Sequence, residues 1–211
     1  MFRNLIIRDL KIAFFTSTNF LFTASFFLLI LILIPFIFGS EIGLLKIMFK
    51  GLIWIALVLS ILLTLSRIFN SDYDDGNLDI IIRSVSSLES IICAKYIAYW
   101  ITNCLPLVLF VPIVGQLFNL TFQETLPLMV NLGIGSIGMV FIATCISALT
   151  LGAKRTTFLK GIIIIPLYIP FIIFGVDADS WPILIGLSMI AFVVSMYASI
   201  YSLRLYGEYT Q

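Results

Sequence analysis

The chain reads as an all-α, polytopic membrane protein: a six-transmembrane-helix bundle with an amino-terminal interfacial helix and a cytoplasmic amphipathic helix between the second and third spans. Three observations predict this. Of 211 residues 61% are hydrophobic and 11% charged, with a mean hydropathy of +1.17, whereas soluble domains are about half apolar and a quarter charged. So small a globule cannot hide that much apolar surface from water. Six apolar segments are long enough to cross a bilayer, and basic residues fall almost entirely on one side of them.

A spanning helix needs about 20 mostly apolar residues, because the hydrocarbon core is about 30 Å thick and each residue rises about 1.5 Å. The segments 20–38, 51–68, 96–118, 127–151, 158–176 and 182–203 meet that test within one transmembrane domain over 1–211. In lipid the backbone must satisfy its own hydrogen bonds, so each is expected as a helix. The first follows Arg3, Arg8 and Lys11 as a signal peptide would, but its apolar run is too long and Ile37-Phe38-Gly39-Ser40 is a poor cleavage site. It reads as an uncleaved anchor. Arg3, Arg8, Lys11, Arg67, Arg83, Lys95, Lys154, Arg155, Lys160 and Arg204 lie on one side, and only Lys46 and Lys50 on the other. The positive-inside rule then makes both termini cytoplasmic. Tyr96, Tyr99 and Trp100 at the start of the third span, and Tyr197, Tyr201 and Tyr206 at the end of the sixth, are expected at the inner interface; Trp54 and Trp181 are expected near the outer one.

Several function classes lose their support. A net charge of +1 offers no field for nucleic acid. Cys93, Cys104 and Cys145 form no metal-like or disulfide pattern. Gly133-Ile134-Gly135-Ser136-Ile137-Gly138 spells a dinucleotide fingerprint, but it lies inside an apolar helix with no preceding strand. Close helix packing through small residues explains it better, extended by Ala143, Thr144, Ser147, Ala148 and Gly152. No phosphate-loop motif occurs, and no helix centre carries Asp, Glu, Lys, Arg or His. Ion-coupled transporters and intramembrane proteases need such groups. The chain is not expected to be an enzyme, and energy for uphill work must come from another polypeptide.

The most informative segment is the polar stretch from Arg67 to Lys95. It holds Asp72, Asp74, Asp75 and Asp79 and a Gly76-Asn77 turn signal. Leu78, Ile81, Ile82 and Val85 then recur at i, i+3, i+4 and i+7, one face of a helix. Two readings stay open on periodicity: a helix packed under the bundle, or one seated in a groove of a cytoplasmic partner. The acidic entry suits an anionic lipid surface poorly, which favours the protein groove. At the amino terminus Leu5, Ile6, Leu10 and Ala13 share a face while Arg8 and Lys11 point toward headgroups, as in an interfacial helix. Pro166 and Pro170 free backbone carbonyls in the fifth span and favour a kink, beside a pathway or simply in packing.

This layout resembles that of ABC-2-type permeases, and three stretches narrow the resemblance to the haem exporter B (CcmB) family. They are Gly51-Leu52-Ile53-Trp54 continuing to Arg67-Ile68-Phe69, Asp74-Asp75-Gly76-Asn77-Leu78-Asp79, and Gly152-Ala153-Lys154-Arg155 followed by Pro166-Leu167-Tyr168-Ile169-Pro170. Asp79 stands where the family more often has Glu, and Ser66 replaces an acidic residue. The resemblance implies a permease subunit for haem export or haem-chaperone release in c-type cytochrome biogenesis, in the bacterial inner membrane. It implies a separate ATPase subunit (CcmA-like) that binds ATP, with two copies of each chain, and association with CcmC-, CcmD- and CcmE-like proteins. It also implies that the ATPase docks on the segment of Asp74, Asp75, Gly76, Leu78, Asp79, Ile81, Ile82 and Val85. Haem would be cargo; with no histidine, the chain lacks the commonest protein haem ligand. The rival readings are a permease for another amphiphilic cargo and a passive scaffold for haem-handling proteins.

Overall fold

The computed structural model describes residues 2–15, 18–38, 42–65, 67–76, 78, 87–151, 157–177 and 179–209. These are helical almost throughout, with no strand among them. We number the helices α1 (Phe2–Phe15), α2 (Thr18–Phe38), α3 (Ile42–Thr64), α4 (Arg67–Asp74), α5 (Leu88–Leu117), α6 (Phe122–Leu149), α7 (Thr157–Gly175) and α8 (Trp181–Tyr209). By length and composition α3, α5, α6 and α8 are able to cross a membrane, while the apolar stretches Leu21–Ile37 in α2 and Lys160–Gly175 in α7 are shorter. The molecule is thus an all-helical membrane protein with four long apolar helices.

Central to the bundle is α6, which contacts α3, α4, α5, α7 and α8. Its glycines are the reason it fits there. A Cβ on Gly138 would lie 2.5 Å from Phe171 and 2.8 Å from the Ser188 hydroxyl, and one on Gly135 would strike the Trp54 indole. Ala143, Thr144, Ser147 and Ala148 continue the buried small-residue surface; Gly152 lies outside the described residues. The helix starts on a capping box: the Glu124 carboxylate accepts from the Thr121 backbone N–H at 2.7 Å, and the Thr121 hydroxyl accepts from the Glu124 N–H. The α5–α6 turn is tight, and Asn119 sits there at φ 56, a left-handed conformation that asparagine tolerates better than most residues.

Helix boundaries differ from expectation in an instructive way. α3 begins at Ile42, so Lys46 and Lys50 lie within the helix rather than in a loop. α5 begins at Leu88 on a Ser87 cap, so Lys95 is helical too. Its start is set by the capping hydroxyl, which an apolar-run count overlooks. Aromatic placement also changes. Trp54 is fully buried, held between Gly135 and Gly175. Tyr99 is buried and bonds the Thr64 hydroxyl at 2.7 Å; Tyr96 stacks on Phe141; and the Trp100 indole donates to Ser136 at 3.0 Å. Tyr99 and Trp100 thus find polar partners inside the bundle, which satisfies them as well as an interface would. Trp181, Tyr197 and Tyr201 are exposed, and Tyr206 packs edge-on against Tyr73 of α4.

Candidate functional site

The amphipathic eight-residue helix α4 turns Ile68, Phe69 and Asp72 inward and leaves Tyr73 exposed. Asp72 is an acid in the last turn of its helix, where the helix dipole disfavours negative charge. It is held there by cations from two other helices. Lys95 of α5 donates directly to its Oδ2, and the Arg8 guanidinium of α1 stands 3.8 Å from the same oxygen while also bonding Asp9. The Lys95 and Asp72 side chains are only 6% and 9% exposed, and the Lys95 ammonium lies 5.4 Å from the centroid of the Phe69 ring, a distance at which the ring face attracts it. A pair so buried is costly to break, since either charge left alone loses about 3–5 kcal/mol. Three elements therefore meet at one charged knot: α1, α4 and the first two turns of α5. Expected to reach for headgroups, Arg8 instead hydrogen-bonds Asp9 and stands within ion-pair range of Asp72.

From this knot the chain enters the segment singled out for partner docking. Asp74 closes α4, Asp75 is exposed, and Gly76 is exposed at φ +67 with its N–H bonded to the Tyr73 carbonyl at 3.1 Å. That left-handed turn is where glycine is favoured. Leu78 is 1% exposed and belongs to the chain's own core. Asp79, Ile81, Ile82 and Val85 lie outside the described residues. Pro166 and Pro170 both fall inside α7, on either side of the buried Tyr168, whose hydroxyl donates to the Met139 carbonyl at 2.7 Å.

Further along α5 the helix widens. Residues Trp100–Cys104 form a π-helical turn, in which the Leu105 N–H bonds Trp100 O, five residues back. Pro106 supplies the cause: it has no N–H for the Thr102 carbonyl, and its ring clashes with that carbonyl in a regular helix. Side chains repair the neighbouring turn. The Thr102 hydroxyl donates to Ala98 O at 2.7 Å, and the Asn103 amide donates to Tyr99 O at 3.3 Å. The Thr23 hydroxyl of α2 donates to the Asn103 side-chain oxygen at 3.4 Å. Single π turns inside α-helices often mark functional sites. Neither this turn nor the Asp72–Lys95 pair figured in the sequence expectations. Pro106 within an apolar run was the available signal for the first; an acid and a lysine 23 residues apart carry no local signal for the second.

A family model described as CcmB protein matches residues 1–205. The chain is 34% identical to heme exporter protein B of Bradyrhizobium diazoefficiens, the alignment covering 95% of this chain and 96% of that protein. It is 35% identical to heme exporter protein B of Rhodobacter capsulatus over 90% of this chain and 89% of the relative. With heme exporter protein B of Escherichia coli strain K12 the identity is 33%, covering 84% and 81%.

Proposed function

The chain belongs to the CcmB protein family, and from that premise we propose that it is the membrane-spanning permease subunit of a haem exporter serving c-type cytochrome biogenesis. The observation that carries this reading is the family match across residues 1–205, on a chain built of long apolar helices. The finer reading is a single transmembrane domain over 1–211 with α2, α3, α5, α6, α7 and α8 as six spans, α1 at the interface, and both termini cytoplasmic in the bacterial inner membrane. The skew of basic residues supports that orientation, as does the Tyr73–Tyr206 contact, which brings the end of α8 beside α4.

Having no phosphate loop, the chain takes its energy from a separate CcmA-like ATPase. That subunit docks on the segment Asp74–Val85, two copies of each chain assemble, and CcmC-, CcmD- and CcmE-like proteins join them. Haem is cargo, or its loaded chaperone is what ATP releases. Asp75 and Gly76, exposed at the tip of a left-handed turn, suit a contact surface; a helix gripped in a groove passes motion on because both packed surfaces move as units. Pro166 and Pro170 kink α7 beside the central helix. Haem staining of c-type cytochromes in a deletion strain tests the assignment: attachment is expected to fail, and normal attachment removes the maturation role in favour of another amphiphilic cargo. Disabling the phosphate-loop lysine of the ATPase separates an engine from a scaffold, since a passive scaffold would leave chaperone turnover unchanged.

A further inference from the structure

We infer that Asp72 and Lys95 are positioning residues for transport: their ion pair is the joint through which the docking segment moves the inner half of α5. This rests on the reading that an ATP-hydrolysing partner docks on that segment. Two residues separate Asp72 from the exposed Asp75–Gly76 turn, so α4 is the rigid base of the docking segment. Lys95 lies on α5 between its first turn and the π turn at Trp100–Cys104. The bond is charge-assisted and shielded from water at 6% and 9% exposure, which makes it directional and hard to slip. Phe69 of α4 also faces the Lys95 ammonium, so α4 holds Lys95 at two points.

What the joint moves is defined by the π turn. The inner half of α5 packs on α1, α6 and α8 and is tied to α4 through Asp72 and Phe69, whereas the outer half packs on α2 and α6. Between them the regular i to i−4 ladder is interrupted and one carbonyl is freed by Pro106. A helix bends most readily at such a place. A push on α4 therefore swings the inner half of α5 about Trp100–Cys104, disturbing the Thr23–Asn103 and Trp100–Ser136 contacts that tie the turn to α2 and α6.

The test uses the whole complex with its ATPase in lipid nanodiscs and reads loaded chaperone released per ATP hydrolysed. In the double variant D72N/K95M no charge is stranded, so ATPase co-purification stays at the wild-type level and the thermal midpoint falls less than for Lys95→Met alone. Release per ATP falls about tenfold, the scale on which cutting a packed link alters coupling. The conservative variant K95R keeps release per ATP within about threefold, because a guanidinium still pairs the carboxylate. A D72N/K95M complex that docks the ATPase and couples like wild type overturns the joint. A second measurement needs no disruptive variant: spin labels at Tyr73, Glu89 and Gln116, all exposed, follow the ATP cycle. The 73–89 distance is expected to hold within about 1 Å while 89–116 changes by about 2 Å or more, the scale of switching helix shifts. A variable 73–89 distance beside a constant 89–116 distance refutes the lever. A wild-type complex that contains no ATPase removes the parent reading instead, and the joint with it.

Discussion

Among the described residues two lysine–carboxylate pairs cross between helices, one at each end of α3. At the start of α3, Lys46 reaches Glu124 of α6 at 3.1 Å, with side chains 35% and 44% exposed. Beyond its other end, Asp72 of α4 meets Lys95 of α5 almost out of contact with water. The groups are chemically alike and their surroundings are not. Water screens the Lys46–Glu124 pair, and exposed pairs contribute little because solvent competes for both charges. Around Asp72 and Lys95 the surroundings turn a modest attraction into a contact that is hard to do without. The end expected to meet a moving partner is the one built with the unyielding contact.

The largest expected break in this contrast is Lys95→Met alone. It strands a buried carboxylate and should lower stability by about 3–5 kcal/mol, read as thermal unfolding of the purified chain in detergent; an unchanged midpoint would erase the difference between the two ends. Midway between them, Gly138→Ala forces a methyl group against Phe171 and Ser188 and should lose about 1–3 kcal/mol through overpacking. A neutral result there would mean that α6 and α7 separate freely. At the Lys46–Glu124 end Thr121→Ala removes the hydroxyl that caps α6 and should lose about 1 kcal/mol. Lys46→Met comes last: its midpoint should match wild type within error, at low and high salt alike. A clear loss for Lys46→Met would show that exposure does not separate the pairs.

Much of the bundle was legible in advance because lipid leaves the backbone so few options. The apolar runs at 20–38 and 158–176 fall on Thr18–Phe38 and Thr157–Gly175, whereas the helix over 127–151 starts earlier, at Phe122, and the one over 182–203 runs on to Tyr209. The glycine run in α6 was legible as packing rather than cofactor chemistry, since its context is apolar on every side. Less legible was anything that depends on a distant partner. Trp54, Tyr99 and Trp100 resemble interface anchors until Gly135, Thr64 and Ser136 are seen beside them. Lys95 reads in the sequence as a loop charge, although it lies in a helix against an acid 23 positions earlier. Of the docking stripe, Leu78 turned out to serve the chain's own core, an outcome that periodicity alone left open.

The wide turn in α5 also sets a phase. A π turn accommodates one residue more than regular winding allows, and each residue of an α-helix advances the screw by about 100°. Deleting one residue between Trp100 and Cys104 would restore regular winding there and leave the helix almost as long. Every side chain below the deletion would keep its direction relative to those above it, because the wide turn spends one residue more on nearly the same rotation. Lys95 would still meet its aspartate, whereas the same deletion in a regular turn of α5 between Lys95 and Leu117 would turn the two ends apart by that angle. The wide turn thus takes up a surplus residue and lets one continuous helix present Lys95 to α4 at one end and its apolar face to α6 at the other.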